Sequence, residues 1–212
     1  MKRNMPLILM ALTVVIMLMP LCAFGQDYSN YFALKLGEYS PTGDLDDVGI
    51  GSGFNGELGF GSYFSKNFSY EVGIGYFKTD ETFTAFISGI GTISEKDKIT
   101  ALPFLFTLKG HIPFKAGELY GGVGIGWYFA TIDVDINTPI GSLSFSDDDN
   151  VLGLHFLAGI NFNITEKWFL GIEAKKFTTD DFNFYDIDQG FFLDFDTDFD
   201  GYTIFGQIGY RF

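Results

Sequence analysis

The sequence predicts an all-β fold, in which eight antiparallel strands follow one another up and down and close into a barrel. Three observations lead to this prediction. Apolar and polar residues alternate with a period of two in eight runs, tight turns alternate with long connections, and 27 glycines are spread along the 212 residues. Because successive side chains of a strand point to opposite faces, each run has one apolar face and one face of glycine, polar and charged residues.

The eight apolar faces follow the chain to its last residue. Each run is about 10 residues long, which is the length that a tilted strand needs to cross a bilayer. Run by run, the apolar residues are Phe32, Leu34 and Leu36; Phe54, Leu58 and Phe60; Tyr70, Val72, Ile74 and Tyr76; Leu102, Phe104, Phe106, Leu108 and Ile112; Leu119, Val123, Ile125, Trp127 and Phe129; Leu152, Leu154, Phe156, Ala158, Ile160 and Phe162; Trp168, Leu170, Ile172 and Ala174; Tyr202, Ile204, Ile208, Tyr210 and Phe212.

A soluble barrel that carries a ligand is the main alternative, because alternation alone does not say which face is outside. The opposing faces hold few charges and many glycines, and they would make a poor surface in water. Only 19% of all residues are charged, which is low for a soluble domain. Aromatic residues such as Tyr76 and Trp168 stand near the ends of the apolar faces, as at a membrane interface. The sequence therefore favours a transmembrane barrel.

The connections between the runs alternate in length. Residues 65–67, 114–117 and 165–167 are tight turns, whereas the connections 41–52, 79–97, 133–150 and 178–199 are long and are expected to be irregular loops. Transmembrane barrels have short turns at the periplasmic end and long loops at the extracellular end. We therefore expect both chain ends of the barrel in the periplasm.

The first 25 residues are predicted to be a cleaved signal peptide, which leaves one barrel domain over residues 26–212. Lys2 and Arg3 precede the apolar run 5–21, and an Ala-Phe-Gly pattern of small residues precedes the cleavage point. Two alternatives remain for this segment. The apolar run is near the lower length limit of a membrane-spanning helix. Cys22 would carry the lipid of a lipoprotein, although a leucine precedes it where a small residue is expected.

The export segment, the eight runs and the final Tyr210-Arg211-Phe212 resemble the small outer-membrane barrels of the OmpW, OmpX and OmpA-barrel kind. The resemblance covers nearly all of residues 26–212. It implies an integral protein of the bacterial outer membrane, in contact with outer-membrane lipids and lipopolysaccharide. It also implies that the barrel-assembly machinery recognises Phe212, with Tyr210, as an assembly signal. We expect a monomer with a structural or surface-interacting role, since a fold does not imply an activity.

Eight strands leave an interior that side chains can just fill. The inward-facing positions predict a polar plug of the lumen, formed by Lys35, Glu71, Lys109, His111, Glu173 and Arg211. Glu71 and Lys109 are at matching positions on neighbouring strands, and we expect them to form an ion pair. The plug is expected to be structural, because unpaired charges in a lumen are costly. The alternative is a charged gate that opens.

A second set of inward positions predicts an apolar zone above the plug. Its members are Phe77, Leu105, Leu157, Phe177 and Phe205. Glu57 and Lys175 are expected to interrupt this zone. The resemblance to OmpW-like barrels implies passive uptake of small hydrophobic molecules through such a zone, which suits apolar ligands. Uptake is therefore the alternative function. Ordinary packing of the lumen is the alternative explanation of these apolar residues.

Acidic residues concentrate in the long connections, and the chain has a net charge of -14, so no nucleic-acid partner is expected. Asp196, Asp198 and Asp200 copy the first half of a calcium-binding loop, but Gln207 stands where the final glutamate is needed. These aspartates are weak candidates for binding divalent cations. A solvated acidic surface is the default interpretation.

No catalytic site is predicted, and the chain is expected not to be an enzyme. His111 and His155 both point inward by parity, and neither has a serine two residues later. A lipid-A-modifying barrel enzyme, which needs a histidine with a nucleophile or an acyl slot, is therefore the third and weakest alternative. The sequence shows no phosphate loop, dinucleotide signature or metal triad, and no cofactor is expected.

Overall fold

The computed structural model describes residues 29–42, 45, 49–88, 91–185 and 194–212. The predicted signal peptide, residues 1–25, lies outside these ranges. Within them, no helix is long and apolar enough to cross a membrane.

Eight strands of the described chain close into one barrel in which all neighbouring pairs are antiparallel. The strands are β1 (Asn30–Pro41), β2 (Gly53–Ser65), β3 (Phe68–Ile87), β4 (Gly91–Phe114), β5 (Gly117–Thr138), β6 (Gly141–Asn163), β7 (Trp168–Thr179), β8 (Phe182–Tyr185), β9 (Asp194–Thr197) and β10 (Gly201–Arg211). The order around the barrel is β1-β10-β7-β6-β5-β4-β3-β2, and β8 and β9 form a separate hairpin. The predicted up-and-down barrel of eight strands is confirmed, as are its three tight turns.

The barrel closes where the first strand meets the last. The backbone N–H of Asn30 donates to the carbonyl oxygen of Phe212 at 3.0 Å, and the N–H of Phe212 donates back to Asn30 at 2.9 Å. Hydrocarbon offers no water to backbone groups, so a sheet that crosses a membrane has to pair every strand edge. Closure of β1 on β10 meets this requirement.

Alternation decides which side chains enter the barrel. On β1, Phe32 and Leu34 are each 45% exposed on the outer wall, whereas Ala33 and Lys35 are buried in the interior. The predicted apolar faces of the other barrel strands also point outward. An outer wall of this kind is stable in lipid but not in water.

The expectation of irregular loops at 79–97 and 133–150 is wrong. β3 and β4 remain paired as far as Ile87 and Gly91, and β5 and β6 remain paired as far as Thr138 and Gly141. Gly91 has a φ of 109°, a conformation that favours glycine, where the first of these hairpins turns. The strands continue because β-branched and aromatic residues still alternate there, although with the opposite polarity.

We call this part of the molecule the sheet extension: residues 80–87 of β3, 91–98 of β4, 133–138 of β5 and 141–146 of β6. Its outward face is polar and carries Lys98 and Asp133, which form an ion pair at 2.8 Å. The opposite face carries apolar side chains, such as Phe83 and Leu143. The sheet extension lies at the end of the barrel that has long connections, which is the extracellular end in barrels of this architecture.

Candidate functional site in the barrel lumen

A cluster of six charged side chains crosses the middle of the lumen, and Lys35 is at its centre. The Nζ atom of Lys35 lies 2.7 Å from Glu57, 2.7 Å from Glu71 and 3.0 Å from Glu173. These partners come from β2, β3 and β7, so one ammonium group connects four strands. The Lys35 side chain has no exposed surface. We call this set, completed by Lys109 and Lys175, the central charge cluster.

Two further lysines balance the three carboxylates. Lys109 lies 2.6 Å from Glu71 and 3.5 Å from Glu173, and Lys175 forms an ion pair with Glu57. The predicted pairing of Glu71 with Lys109 is confirmed. Glu57 and Lys175 belong to this cluster, and they interrupt the apolar zone as predicted, because the Lys175 ammonium lies 5.3 Å from the ring of Phe205. Three cations and three carboxylates that contact one another in a buried site avoid the cost of an unpaired charge.

Two tyrosines complete the hydrogen bonds of the central charge cluster. The hydroxyl of Tyr31 donates to Glu71 at 2.7 Å, and the hydroxyl of Tyr120 donates to Glu173 at 3.0 Å. Glycines opposite them provide the space, since a Cβ atom on Gly61 would collide with the Tyr31 ring and one on Gly159 with the Tyr120 ring. The cluster is therefore held by packing as well as by charge.

His111 and Arg211 lie in a second polar cluster, nearer to the tight turns, and not with Lys35. The Nδ1 atom of His111 lies 3.2 Å from Glu118, and Arg211 lies 3.0 Å from the same carboxylate. Glu118 is absent from the predicted plug, although its parity on β5 points it inward. With Glu118 included, the four inward glutamates balance Lys35, Lys109, Lys175 and Arg211.

Ser69, His111 and Glu118 are joined in the order that serine hydrolases use. Ser69 Oγ lies 2.8 Å from His111 Nε2, and the other ring nitrogen faces Glu118. Ser69 is completely buried, and the adjoining cavity has a volume of about 10 Å³, which is the size of a single water. The serine, histidine and glutamate thus lie inside the filled lumen, near the tight turns.

All five residues of the predicted apolar zone, Phe77, Leu105, Leu157, Phe177 and Phe205, are buried. Phe77, Leu105 and Phe177 belong to one apolar cluster that the protein's own side chains fill, whereas Phe205 lies beside Lys175 of the central charge cluster. The structure adds Tyr39, whose ring lies 4.9 Å from that of Phe77 and 5.6 Å from that of Phe177. Leu45 and Ile50, from the connection between β1 and β2, pack onto the same cluster. The parity of β1 points Tyr39 inward, but no local sequence pattern indicates Leu45 and Ile50, because their positions depend on how the connection folds back over the barrel.

The comparisons with known proteins agree with this geometry. Residues 10–212 match the family model described as outer membrane protein beta-barrel domain. The chain belongs to this family. By sequence, no curated protein matches it. The family match supports a location in the bacterial outer membrane, as the resemblance implies.

Solved structures of outer-membrane proteins have the same fold. A major outer membrane protein from Thermus thermophilus is 14% identical with a TM-score of 0.51, over 88% of this chain and 100% of that one. OprG from Pseudomonas aeruginosa is 13% identical with a TM-score of 0.50, over 89% of this chain and 98% of that one. Identities this low show the fold and not an activity.

The predicted cation ligands Asp196, Asp198 and Asp200 lie in strand β9 of the β8–β9 hairpin and directly after it. The side chain of Asp196 lies outside the described part of the structure. Asp198 accepts a hydrogen bond from the backbone N–H of Asp200 at 3.3 Å, and Asp200 accepts one from the N–H of Thr179 at 2.9 Å. Among the described residues, no three His, Cys, Asp or Glu side chains are arranged to hold a metal ion.

Tyr210 and Phe212 lie on the outer wall at the end of β10. The Phe212 ring stacks on Phe32 at 5.4 Å, and the Tyr210 ring meets Trp168 edge-on at 5.0 Å. Both side chains thus belong to the aromatic belt that was expected at the end with the tight turns. They are accessible from outside the barrel, as an assembly signal requires.

Proposed function

We propose that this protein is a closed, non-conducting outer-membrane barrel that anchors a sheet at the cell surface, where the sheet has an interaction role. The observation that carries the proposal is the position of Lys35, whose buried ammonium group contacts carboxylates from three other strands. A cation held in this way joins opposite walls of the lumen. The barrel is then a rigid support and not a passage.

The sealing of the lumen disfavours the charged gate and the uptake of small hydrophobic molecules. To open the lumen, Lys35 would have to leave three buried carboxylates, which is costly. Above it, the rings of Phe77, Tyr39 and Phe177 already occupy the apolar zone. A hydrophobic solute would have to displace these rings, whereas a ligand site is normally preformed and open.

The sheet extension supports a role at the cell surface. Phe86 is 77% exposed and Ile140 is 92% exposed at the tips of the two hairpins. Exposed apolar side chains at these tips offer contact area to a partner, as the apolar patches of interaction sites do. We propose no catalytic step, since Ser69 and His155 are both fully buried in the lumen.

Recordings in planar bilayers test whether the barrel is closed. We expect the purified protein to insert without discrete conductance, and a series of small apolar solutes to leave the baseline unchanged. A variant with Tyr39, Phe77 and Phe177 all replaced by alanine is the matched control for a loosened lumen. Discrete channels in the wild-type protein, blocked by the apolar solutes, would instead establish uptake.

Shortening of the sheet extension tests the surface role. Replacing residues 82–95 and 135–144 by two short turns is expected to leave a heat-modifiable barrel but to abolish adhesion of cells that display it. Substitution of the exposed Lys66, at the opposite end of the barrel, is the control and leaves adhesion unchanged. Equal adhesion of the shortened and complete proteins would refute the surface role.

We also propose that residues 1–25 are removed on export, that the mature chain is a monomer among outer-membrane lipids, and that the assembly machinery recognises Phe212. Mass spectrometry of the mature protein is expected to give a chain that begins at Gln26. Phe212→Ala is expected to slow membrane insertion in cells, while Phe114→Ala, on the outer wall near another tight turn, does not. Insertion at equal rates would remove the assembly role from Phe212.

A further inference from the structure

The sheet extension has an inner face, which continues the lumen-facing side of strands β3 to β6. Inward and outward side chains alternate along each strand, so parity assigns the members of this face. On β3 and β4 it carries three carboxylates beside the apolar Phe83 and Ile93. On β5 and β6 it is apolar. The residues used below are Glu81, Glu95 and Asp97 on the acidic side and Val134, Ile136, Leu143 and Phe145 on the apolar side.

The strand register arranges these side chains in rows that cross the four strands. One row reads Glu81, Asp97, Val134 and Phe145, and the next reads Phe83, Glu95, Ile136 and Leu143. Both rows pass from carboxylates on β3 and β4 to apolar side chains on β5 and β6. Four strands are about 14 Å wide, which is close to the diameter of about 10–12 Å of a helix with its side chains.

The cations of the sheet extension are all on its other face. Lys96 lies 3.3 Å from Asp80, and Lys98 lies 2.8 Å from Asp133, both on the outward face. Within the described sheet extension, no lysine or arginine lies on the inner face. Glu81 and Asp97 stand directly opposite each other there, and like charges in such a pair destabilise a sheet. A cation from outside would relieve this repulsion.

The carboxylate of Asp97 is incompletely satisfied. Its Oδ1 atom is shielded from solvent and accepts no hydrogen bond from the described residues. Burial, followed by the charge of Glu95, raises the pKa of Asp97. A buried acceptor without a donor costs free energy. A positive charge beside Asp97 would offset this cost.

The inner face is open to a partner. Phe83 is 40% exposed and Leu143 is 41% exposed, and Ile136 and Phe145 are only half-buried. A second copy of the chain is a poor occupant, because its net charge is also -14 and the same face would bring carboxylates together. Charge complementarity favours a basic partner with an apolar side.

We propose that the inner face of the sheet extension binds a cationic amphipathic helix of a partner polypeptide. The apolar side of the helix lies on β5 and β6, and its lysine or arginine side chains face Glu81, Glu95 and Asp97. The binding mode is that of an amphipathic helix in an apolar groove. The proposal rests on the surface role proposed above and specifies the chemistry of the partner.

Titration with a defined peptide tests the site. The mature protein in phosphatidylcholine nanodiscs is added to a labelled peptide of about 15 residues, which is roughly 22 Å long as a helix. Leucines form one side of this helix and lysines the other. Fluorescence anisotropy gives the Kd, and empty nanodiscs give the lipid background. A peptide of the same composition in which leucine and lysine strictly alternate favours a strand, and we expect it to bind at least tenfold more weakly.

Removal of charge from one face or the other provides matched variants. The inner-face variant combines Glu81→Gln, Glu95→Gln and Asp97→Asn, and the outer-face control combines Asp80→Asn, Asp133→Asn and Asp135→Asn. We expect the inner-face variant to weaken binding of the helical peptide roughly tenfold, because it removes three accessible ion pairs. The control loses the same charge and is expected to bind as the wild-type protein does. Heat-modifiable migration verifies that both barrels are folded.

Three outcomes would overturn the proposal. The first is equal weakening by the two variants, and the second is tighter binding of the alternating peptide. The third is a dimer of the peptide-free protein, seen by sedimentation and disrupted by Leu143→Ser, which would assign the face to a second copy. The protein with the shortened sheet extension separates the two proposals. If it loses adhesion but binds the peptide as the complete protein does, the surface role stands and the helix site is wrong.

Discussion

The strands β3 to β6 pass through two regions whose polarity is opposite. In the membrane-spanning region, apolar side chains such as Val72 and Ile125 point outward, and the charges of Lys109 and Glu71 point inward. In the sheet extension, Lys98 and Asp133 are on the outward face, and Phe83 and Leu143 are on the other face. The backbone pairing is continuous through both regions.

The surroundings, and not the strand itself, therefore decide which face is apolar. Lipid contacts the outer wall below the boundary, so polar side chains there can be satisfied only in the lumen. Above the boundary, water contacts the outer face, and apolar residues are better placed over the mouth of the barrel.

Lys35→Met should have the largest effect. It leaves Glu57, Glu71 and Glu173 in the lumen without their shared cation, which costs about 3–5 kcal/mol of unfolding free energy for a buried pair. Urea unfolding in detergent micelles measures this loss. The control is Lys98→Met in the sheet extension, where the partly exposed ion pair contributes little. Similar losses in the two variants would contradict the contrast between lumen and extension.

A cation on the outer wall tests the position of the membrane. Val72→Arg places a charge in the middle of the spanning part of β3 and should cost about 2–4 kcal/mol in a bilayer. Thr84→Arg, on the same strand and face but in the sheet extension, should leave stability unchanged. Unfolding in lipid vesicles compares them, and an equal cost at both positions would place Thr84 in the membrane as well.

Substitutions at two glycines compare the packing of the lumen with that of the outer wall. A Cβ atom on Gly61 would collide with the ring of Tyr31, so Gly61→Ala should cost about 1–3 kcal/mol, as overpacking does. The Cβ atom of Gly206→Ala would meet only a carbonyl oxygen of Leu36, at 3.9 Å, and this variant should be close to neutral. Thermal unfolding in detergent distinguishes them, and a neutral Gly61→Ala would indicate that Tyr31 moves easily.

The smallest effect concerns the pH dependence of the sheet extension. The hydrogen bond from Lys98 holds the pKa of Asp133 below its usual range. Since the folded pKa is lowered, this contribution to stability is present above the unfolded pKa of about 3.9 and is lost as pH falls through the folded value. Carboxyl NMR titration should show the Asp133 pKa rising in Lys98→Gln. An unchanged value would show that Lys98 is not the cause.

Most of the barrel was predictable from the sequence because strand alternation is local. Parity alone assigns Phe32 to the outer wall and Lys35 to the lumen, and the count of eight runs predicts the closed ring. The sheet extension was not predicted, for a physical reason. The apolar outer face ends at the membrane boundary and suggests that the strand ends there too. However, β pairing continues in water when the sequence still alternates, as at Phe83 and Thr84.

For the candidate site, the sequence predicts which residues take part but not which of them contact one another. Inward charges could be named from parity, except Glu118, but their partners depend on the register and tilt of strands far apart in sequence. Lys35 and Glu173 are 138 residues apart, and no local pattern relates them. The filling of the upper lumen by Leu45 and Ile50 likewise depends on how the connection between β1 and β2 folds.

The sequence by itself determined the number of strands, the face that each side chain takes and the membrane as the solvent of the outer wall, because these follow from a period of two. The tertiary structure decided which charges meet around Lys35, how the apolar zone is closed, and that the strands β3 to β6 stay paired beyond Phe129. These features depend on which strands become neighbours and in which register. Ring closure and strand pairing determine the neighbours and the register of every barrel strand.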